Sequence, residues 1–146
     1  MPPAARRFWL DPLFLAALAA ALVYWLLLSQ IAATGDLGWP MRDPLRFAYP
    51  ALIYPVVEEL VFRGLLQDLA HRHLRPWSLG PVSHANLITS VAFTALHFVN
   101  HTPLWATAVF VPSLIFGFFK DRTGGLAAPI VLHAFYNSGY FWLFGA

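Results

Sequence analysis

The sequence predicts an all-α fold, a polytopic transmembrane helical bundle of about five spans, and three observations carry that expectation. The 146-residue chain is 59% hydrophobic and only 11% charged, where a soluble domain carries roughly 25% charged residues. Its mean hydropathy is +0.61. Its apolar residues gather into five runs separated by polar or turn-forming stretches, as expected of helices that must satisfy their own backbones in lipid. Residues 1–146 read as a single integral membrane domain. A scattered formal charge of +2 gives nucleic acid no footprint, and the absence of cysteine excludes disulfides, a thiol nucleophile and thiolate metal sites.

The first run, Leu13–Ala33, follows Arg6 and Arg7 and is longer than the 7–15-residue core of a secretory signal. Ala32, Ala33, Thr34 and Gly35 resemble a small-residue cleavage site, but a retained first membrane helix is the expectation. The second run, Phe47–Leu69, contains Pro50 and Pro55, which kink a helix whose freed carbonyls neighbouring helices then satisfy. The third, Ala85–Val99, and the fourth, Leu104–Phe119, are short for a hydrocarbon core that takes about 20 residues. They are expected to extend into their flanks or to lie inside the bundle. The fifth is Gly125–Phe144.

The intervening loops are Thr34–Arg46, Ala70–His84, Asn100–Pro103 and Lys120–Gly124. With the N-terminus inside, the inner loops hold Arg6, Arg7, Arg72, Arg75, Lys120 and Arg122, and the outer loops only Arg42 and Arg46. That bias orients the chain N-terminus in and C-terminus out. The aromatic side chains are expected to face lipid or anchor the interfaces.

Against this background Glu58, Glu59 and Arg63 stand out in the middle of the second run. An ionisable residue at the bilayer centre costs about 2.5–3.5 kcal/mol on insertion scales and faces protein or water rather than lipid. Glu59 and Arg63 are spaced i,i+4 with the acid first, the favoured orientation for a helical ion pair. Two adjacent carboxylates do not both ionise cheaply without a cation, so Glu59 is expected to pair with Arg63, leaving Glu58 to act as a base. His97 lies on the third run, and His133 and Asn137 share one face of the fifth at i,i+4. At about 1.5 Å per residue from the inner end, Glu58 lies roughly 16–18 Å deep, His97 roughly 18 Å, His133 roughly 12 Å and Asn137 roughly 18 Å. These matching depths predict a catalytic cavity between the second, third and fifth segments. A carboxylate, two imidazoles and a carboxamide there are the parts needed to activate water and stabilise an oxyanion.

Three local patterns resemble a known family. Glu58-Glu59-Leu60-Val61-Phe62-Arg63 reads EExxxR, Phe93-Thr94-Ala95-Leu96-His97 reads FxxxH, and His133-Ala134-Phe135-Tyr136-Asn137 reads HxxxN. In that order, and with the stretch from Phe116 to Pro129 leading into the last, the chain resembles the CPBP intramembrane proteases over roughly 45–140. This is the CAAX-protease and bacteriocin-processing family, also called the abortive-infection family. The resemblance implies a glutamic-type endopeptidase in which Glu58 and His97 activate water, His133 and Asn137 stabilise the oxyanion, and Glu59 and Arg63 support them. It also implies a protein substrate with a membrane-tethered or lipidated C-terminus, a CAAX-like or sorting-signal sequence, met among membrane lipids. Many members have seven or eight spans, so about five is nearly a minimal core. The small size and alanine-rich composition resemble a bacterial member of the inner membrane.

Blander accounts exist for each residue. Glu59–Arg63 is also what a structural ion pair looks like, a lone His97 or His133 is often a packing residue, and Asn137 is suited to bonding a neighbouring helix. Phe93 reads as packing around the site, and His71, His73, His84, Asn100 and His101 as solvated at loops or helix ends. Glu58, His97 and His133 match zinc ligands in kind, although no HExxH spacing supports a metal. Without zinc no cofactor is expected. A proton-coupled transporter uses similar carboxylate and histidine relays, but no inverted repeat is visible. A catalytically idle membrane scaffold is the third alternative.

Overall fold

The computed structural model of the chain describes residues 7–32 and 35–145. The cleavage-like residues Ala33 and Thr34, and the Arg6 charge used for orientation, lie outside the described residues. Five helices carry the described fold: α1 (Pro12–Leu28), α2 (44–73), α3 (His84–His97), α4 (Pro103–Thr123) and α5 (Ala127–Phe144). Short helical turns at Phe8–Leu10 and Trp39–Arg42 precede α1 and α2. One departure from the all-α expectation is a two-stranded antiparallel hairpin, β1 (Ser78–Leu79) with β2 (Val82–Ser83), in the stretch read as a plain loop. The described residues belong to two compact units, one of residues 58–129 and the other of residues 6–57 with 130–146.

Helix boundaries follow local chemistry. α1 starts at Asp11, whose carboxylate accepts from the Leu13 amide with Pro12 in the first helical position. It stops at 17 residues, short of the run to Ala33, because Ser29 and Gln30 turn their side chains back to the Leu26 carbonyl. α2 is capped by Asp43, which accepts from the Arg46 amide at 3.1 Å. Its hydrogen bonds step from the α to the wider π register over Tyr49–Ile53 and again over Leu60–Gln67. Such widened turns are rare and favour functional positions. α3 is capped by Ser83, which accepts from the Asn86 amide at 3.0 Å.

The fourth apolar run is longer in the fold than in the sequence. α4 spans 21 residues and is long and apolar enough to cross a membrane; among the described residues it is the one helix that passes on both counts. Regular bonding breaks at Val109, three residues before Pro112, which has no amide hydrogen to return to the Ala108 carbonyl. Gly124 ends the helix at φ 71°, a left-handed conformation suited to glycine, and its amide bonds the Lys120 carbonyl at 2.9 Å. Glu58, Glu59 and Arg63 on α2, and His133 and Asn137 on α5, lower the mean hydropathy of those helices.

In the 58–129 unit, α3 packs chiefly on α4, with the 58–73 part of α2 against both. Its interior inverts the soluble pattern. Glu59, Arg63, Gln67, Asn86, Thr89, Ser90 and Ser113 are buried, while Leu60, Val61, Leu65, Val91, Leu96 and Val111 face outward. Apolar exteriors over polar interiors suit helices surrounded by hydrocarbon. In the other unit, α1 meets α5 through Trp25 and Phe135, with ring centroids 5.1 Å apart, and through the Tyr136 hydroxyl, which donates to the Ala17 carbonyl at 2.8 Å. Trp39 and Trp142 tie the segment before α2 to the end of α5: each indole donates to a backbone carbonyl, Trp39 to Trp142 and Trp142 to Leu37.

Candidate active site

Glu59, Arg63 and Gln67 recur every four residues on α2, and all three are fully buried. The expected pair is present: Arg63 Nη1 lies 3.2 Å from Glu59 Oε1. A buried guanidinium needs more than one partner, and α4 supplies it. Arg63 Nη2 donates to the Ser113 carbonyl at 2.9 Å and to the Ser113 hydroxyl at 2.6 Å. The guanidinium carbon also stands 4.8 Å from the Phe93 ring centre and 5.7 Å from that of Phe116. Arg63 therefore touches α3 and α4 as well as its own helix. Glu58, one residue before Glu59, is half-buried.

The FxxxH pattern has a direct physical basis. His97 Nδ1 lies 2.8 Å from the Phe93 carbonyl, one helical turn back. A carbonyl only accepts, so Nδ1 carries the proton and, in the neutral ring, Nε2 is left as the basic nitrogen. The Phe93 ring, nearly fully buried, sits 4.5 Å from the His97 ring and edge-on to Phe62 at 5.0 Å. Phe93 thus holds Arg63 against its ring while its carbonyl sets the tautomer of His97. It links the first two motifs rather than only packing around them.

His101, expected as a solvated end residue, is exposed but ordered by rings. It lies 3.9 Å from the Trp105 ring centre, and His97 lies 5.7 Å from His101 and 5.8 Å from Trp105. His84 differs from that expectation, whereas His71 stays exposed while pairing with an acid. His71 Nε2 meets Asp121 Oδ1 at 2.8 Å, and His84 is buried with its ring nitrogens toward the Trp77 and Ala70 carbonyls.

The third motif belongs to the other unit, where His133 is buried at 5% exposure. Asn137 Nδ2 donates to the Pro50 carbonyl at 2.9 Å. The reason lies five residues further along α2. Over Tyr49–Ile53 the amides bond in π register, so the donor due at Pro50 would be the amide of residue 55, which is proline and has none. The Asn137 carboxamide fills that place. This gives the bland account of Asn137 a specific partner while leaving its second amide hydrogen to other uses.

Several buried polar residues escaped the sequence reading: Asn86, Ser90, Ser113 and Gln67. Gln67 was legible in principle, because it extends the four-residue spacing of Glu59 and Arg63. It donates to the Gly117 carbonyl at 3.0 Å and to Asp121 Oδ1 at 2.7 Å. Asn86 and Ser90 share that same four-residue spacing on α3, and only Ser113 left no periodic signal. Among the described residues, no group of three His, Asp or Glu side chains is placed to hold a metal ion.

The sequence model of the Rce1-like family, type II CAAX prenyl endopeptidase, matches residues 39–139 and so includes all three motifs. No curated protein and no solved structure matches the chain.

Proposed function

Because the chain belongs to the Rce1-like family of type II CAAX prenyl endopeptidases, a family of integral membrane, CAAX-type proteases, we propose that it hydrolyses a peptide bond near the C-terminus of a membrane-tethered protein by glutamate-activated water. Glu58 is the general base and His97 shares the water through Nε2. One water proton passes to this pair as the water oxygen bonds the scissile carbonyl carbon. His133 and Asn137 donate to the oxyanion that develops. The proton is delivered to the leaving amine as the carbon–nitrogen bond breaks. Glu59 and Arg63 hold the first motif in place. The same proposal has about five spans with the N-terminus inside, in a bacterial inner membrane.

The observation that carries it is the hydrogen bond from His97 Nδ1 to the Phe93 carbonyl, which leaves a basic nitrogen on the residue the second motif singles out. The substrate class rests on the family, and a farnesylated peptide ending in a CAAX sequence is the first probe. Glu58→Gln should lower turnover of that peptide by about 10²–10⁴-fold, the usual worth of a positioned base, in a protein that still folds and inserts. Wild-type turnover in the variant would reject the assignment. Zinc in place of glutamate-driven chemistry predicts loss of cleavage on thorough chelation, whereas the proposed mechanism survives it. A transporter would instead move solute across proteoliposomes without cutting the probe.

A further inference from the structure

Behind the Glu59–Arg63 pair runs a chain of hydrogen bonds whose direction is dictated at every link. Arg63 has donors only, so the Ser113 hydroxyl must accept from it, at 2.6 Å. The single hydroxyl proton of Ser113 goes to Ser90 Oγ at 3.0 Å, because Ser90 spends its own on Asn86. Ser90 in turn donates to Asn86 Oδ1 at 3.1 Å, and the Asn86 amide donates to the Leu114 carbonyl at 2.9 Å. Arg63, Ser113, Ser90 and Asn86 are each fully buried. No link can reverse without breaking the one after it, and the last ends on the Leu114 carbonyl, which only accepts. Room for the chain depends on Gly117: a methyl group there would stand 2.0 Å from Asn86 Oδ1.

Polar side chains that merely glue membrane helices contribute little each. This chain instead ends on one hub. The residue it fixes touches Glu59 on one side and the Phe93 ring on the other, and Phe93 sets the tautomer of His97. We propose that Ser113, Ser90 and Asn86 are positioning residues for the peptidase reaction, locking the Arg63 guanidinium so that the first-motif helix and the His97 ring keep one mutual orientation. The proposal rests on the peptidase assignment above. Ser90 is the informative member, because its hydroxyl bonds Asn86 and Ser113 and reaches Arg63 only through Ser113.

Two readouts test it. The first is the exchange and rotation of the Arg63 guanidinium by nitrogen-15 NMR in detergent, which needs no substrate. Wild type should show hindered rotation, and Ser90→Ala should release it; free rotation in wild type, or no change in Ser90→Ala, overturns the proposal. The second is cleavage of the farnesylated CAAX peptide by Ser90→Ala and Ser113→Ala. Each should lose about tenfold in kcat, Ser113→Ala by losing its charge-assisted bond to Arg63 and Ser90→Ala by freeing the Ser113 hydroxyl to turn, with KM unchanged and the pH profile of kcat displaced. Ser113→Thr, which keeps the hydroxyl, should restore most of the loss. Losses that merely track the folded fraction, with an unaltered pH profile, mean structural glue and overturn it. If Glu58→Gln cleaves like wild type, the peptidase assignment itself falls, whatever the guanidinium does.

Discussion

Replacing Arg63 by methionine tests the centre of the 58–129 unit most directly. The side chain is fully buried, and so is Glu59, 3.2 Å away. Arg63→Met keeps the volume and the contacts with Phe93 and Phe116 but removes the charge and both donors to Ser113. Glu59 is then an acid in a dry interior whose cation has gone. Removing one partner of a buried ion pair typically costs about 3–5 kcal/mol, and the lost bonds to Ser113 are part of that sum rather than an addition to it. Taking the charge from both partners, Glu59→Gln with Arg63→Met, leaves no ion buried, so the double variant should be more stable than Arg63→Met alone. The expected coupling is about 2 kcal/mol or more, within the range for residues in direct contact. Unfolding of the wild type and the three variants in mixed micelles, followed by loss of helical circular dichroism, yields the cycle. An Arg63→Met cost below about 1 kcal/mol, with additivity within about 0.5 kcal/mol, would refute the claim that the pair is buried and mutually dependent.

Further outcomes concern the other unit. A methyl group at Gly139 would stand 2.2 Å from the Trp25 ring, so Gly139→Ala should destabilise by about 1–3 kcal/mol through overpacking. The fluorescence of Trp25, in a variant that keeps it as the sole tryptophan, should change with it, and Trp25→Leu should relieve the cost. Asn137→Ala should cost about 1–3 kcal/mol by stranding the Pro50 carbonyl. Pro55→Ala restores a backbone donor for that carbonyl, so the same Asn137→Ala change should cost less in that background; equal costs in both would show that Asn137 does not replace the missing amide.

How much could be read beforehand depends on how far apart in sequence the partners stand. The Glu59–Arg63 pair and the Phe93–His97 bond each span four residues, one helical turn, so the letters alone place them on one face. By contrast, Ser113 lies 50 residues from Arg63 and 23 from Ser90, and Asn137 lies 87 from Pro50. A serine in an apolar run looks the same whether it bonds its own helix or another. Hydropathy reads spans by averaging, and that average is diluted where Glu58, Glu59, Arg63, His133 and Asn137 interrupt it.

From the sequence alone came the helical membrane class, the family and the six motif residues Glu58, Glu59, Arg63, His97, His133 and Asn137, because composition and one-turn spacing are properties of the chain itself. Tertiary structure decided what holds those residues. It turned Phe93 from packing into the link between Arg63 and His97, made Gly117 the space that Asn86 needs, and set Asn137 at the carbonyl that Pro55 abandons. Each of these except the Phe93–His97 bond is an encounter between separate helices: a cation over a ring, a space left for a carboxamide, and a donor matched to a carbonyl. A buried polar group must find its partner wherever the fold brings one within about 3 Å, and sequence spacing carries no record of that encounter.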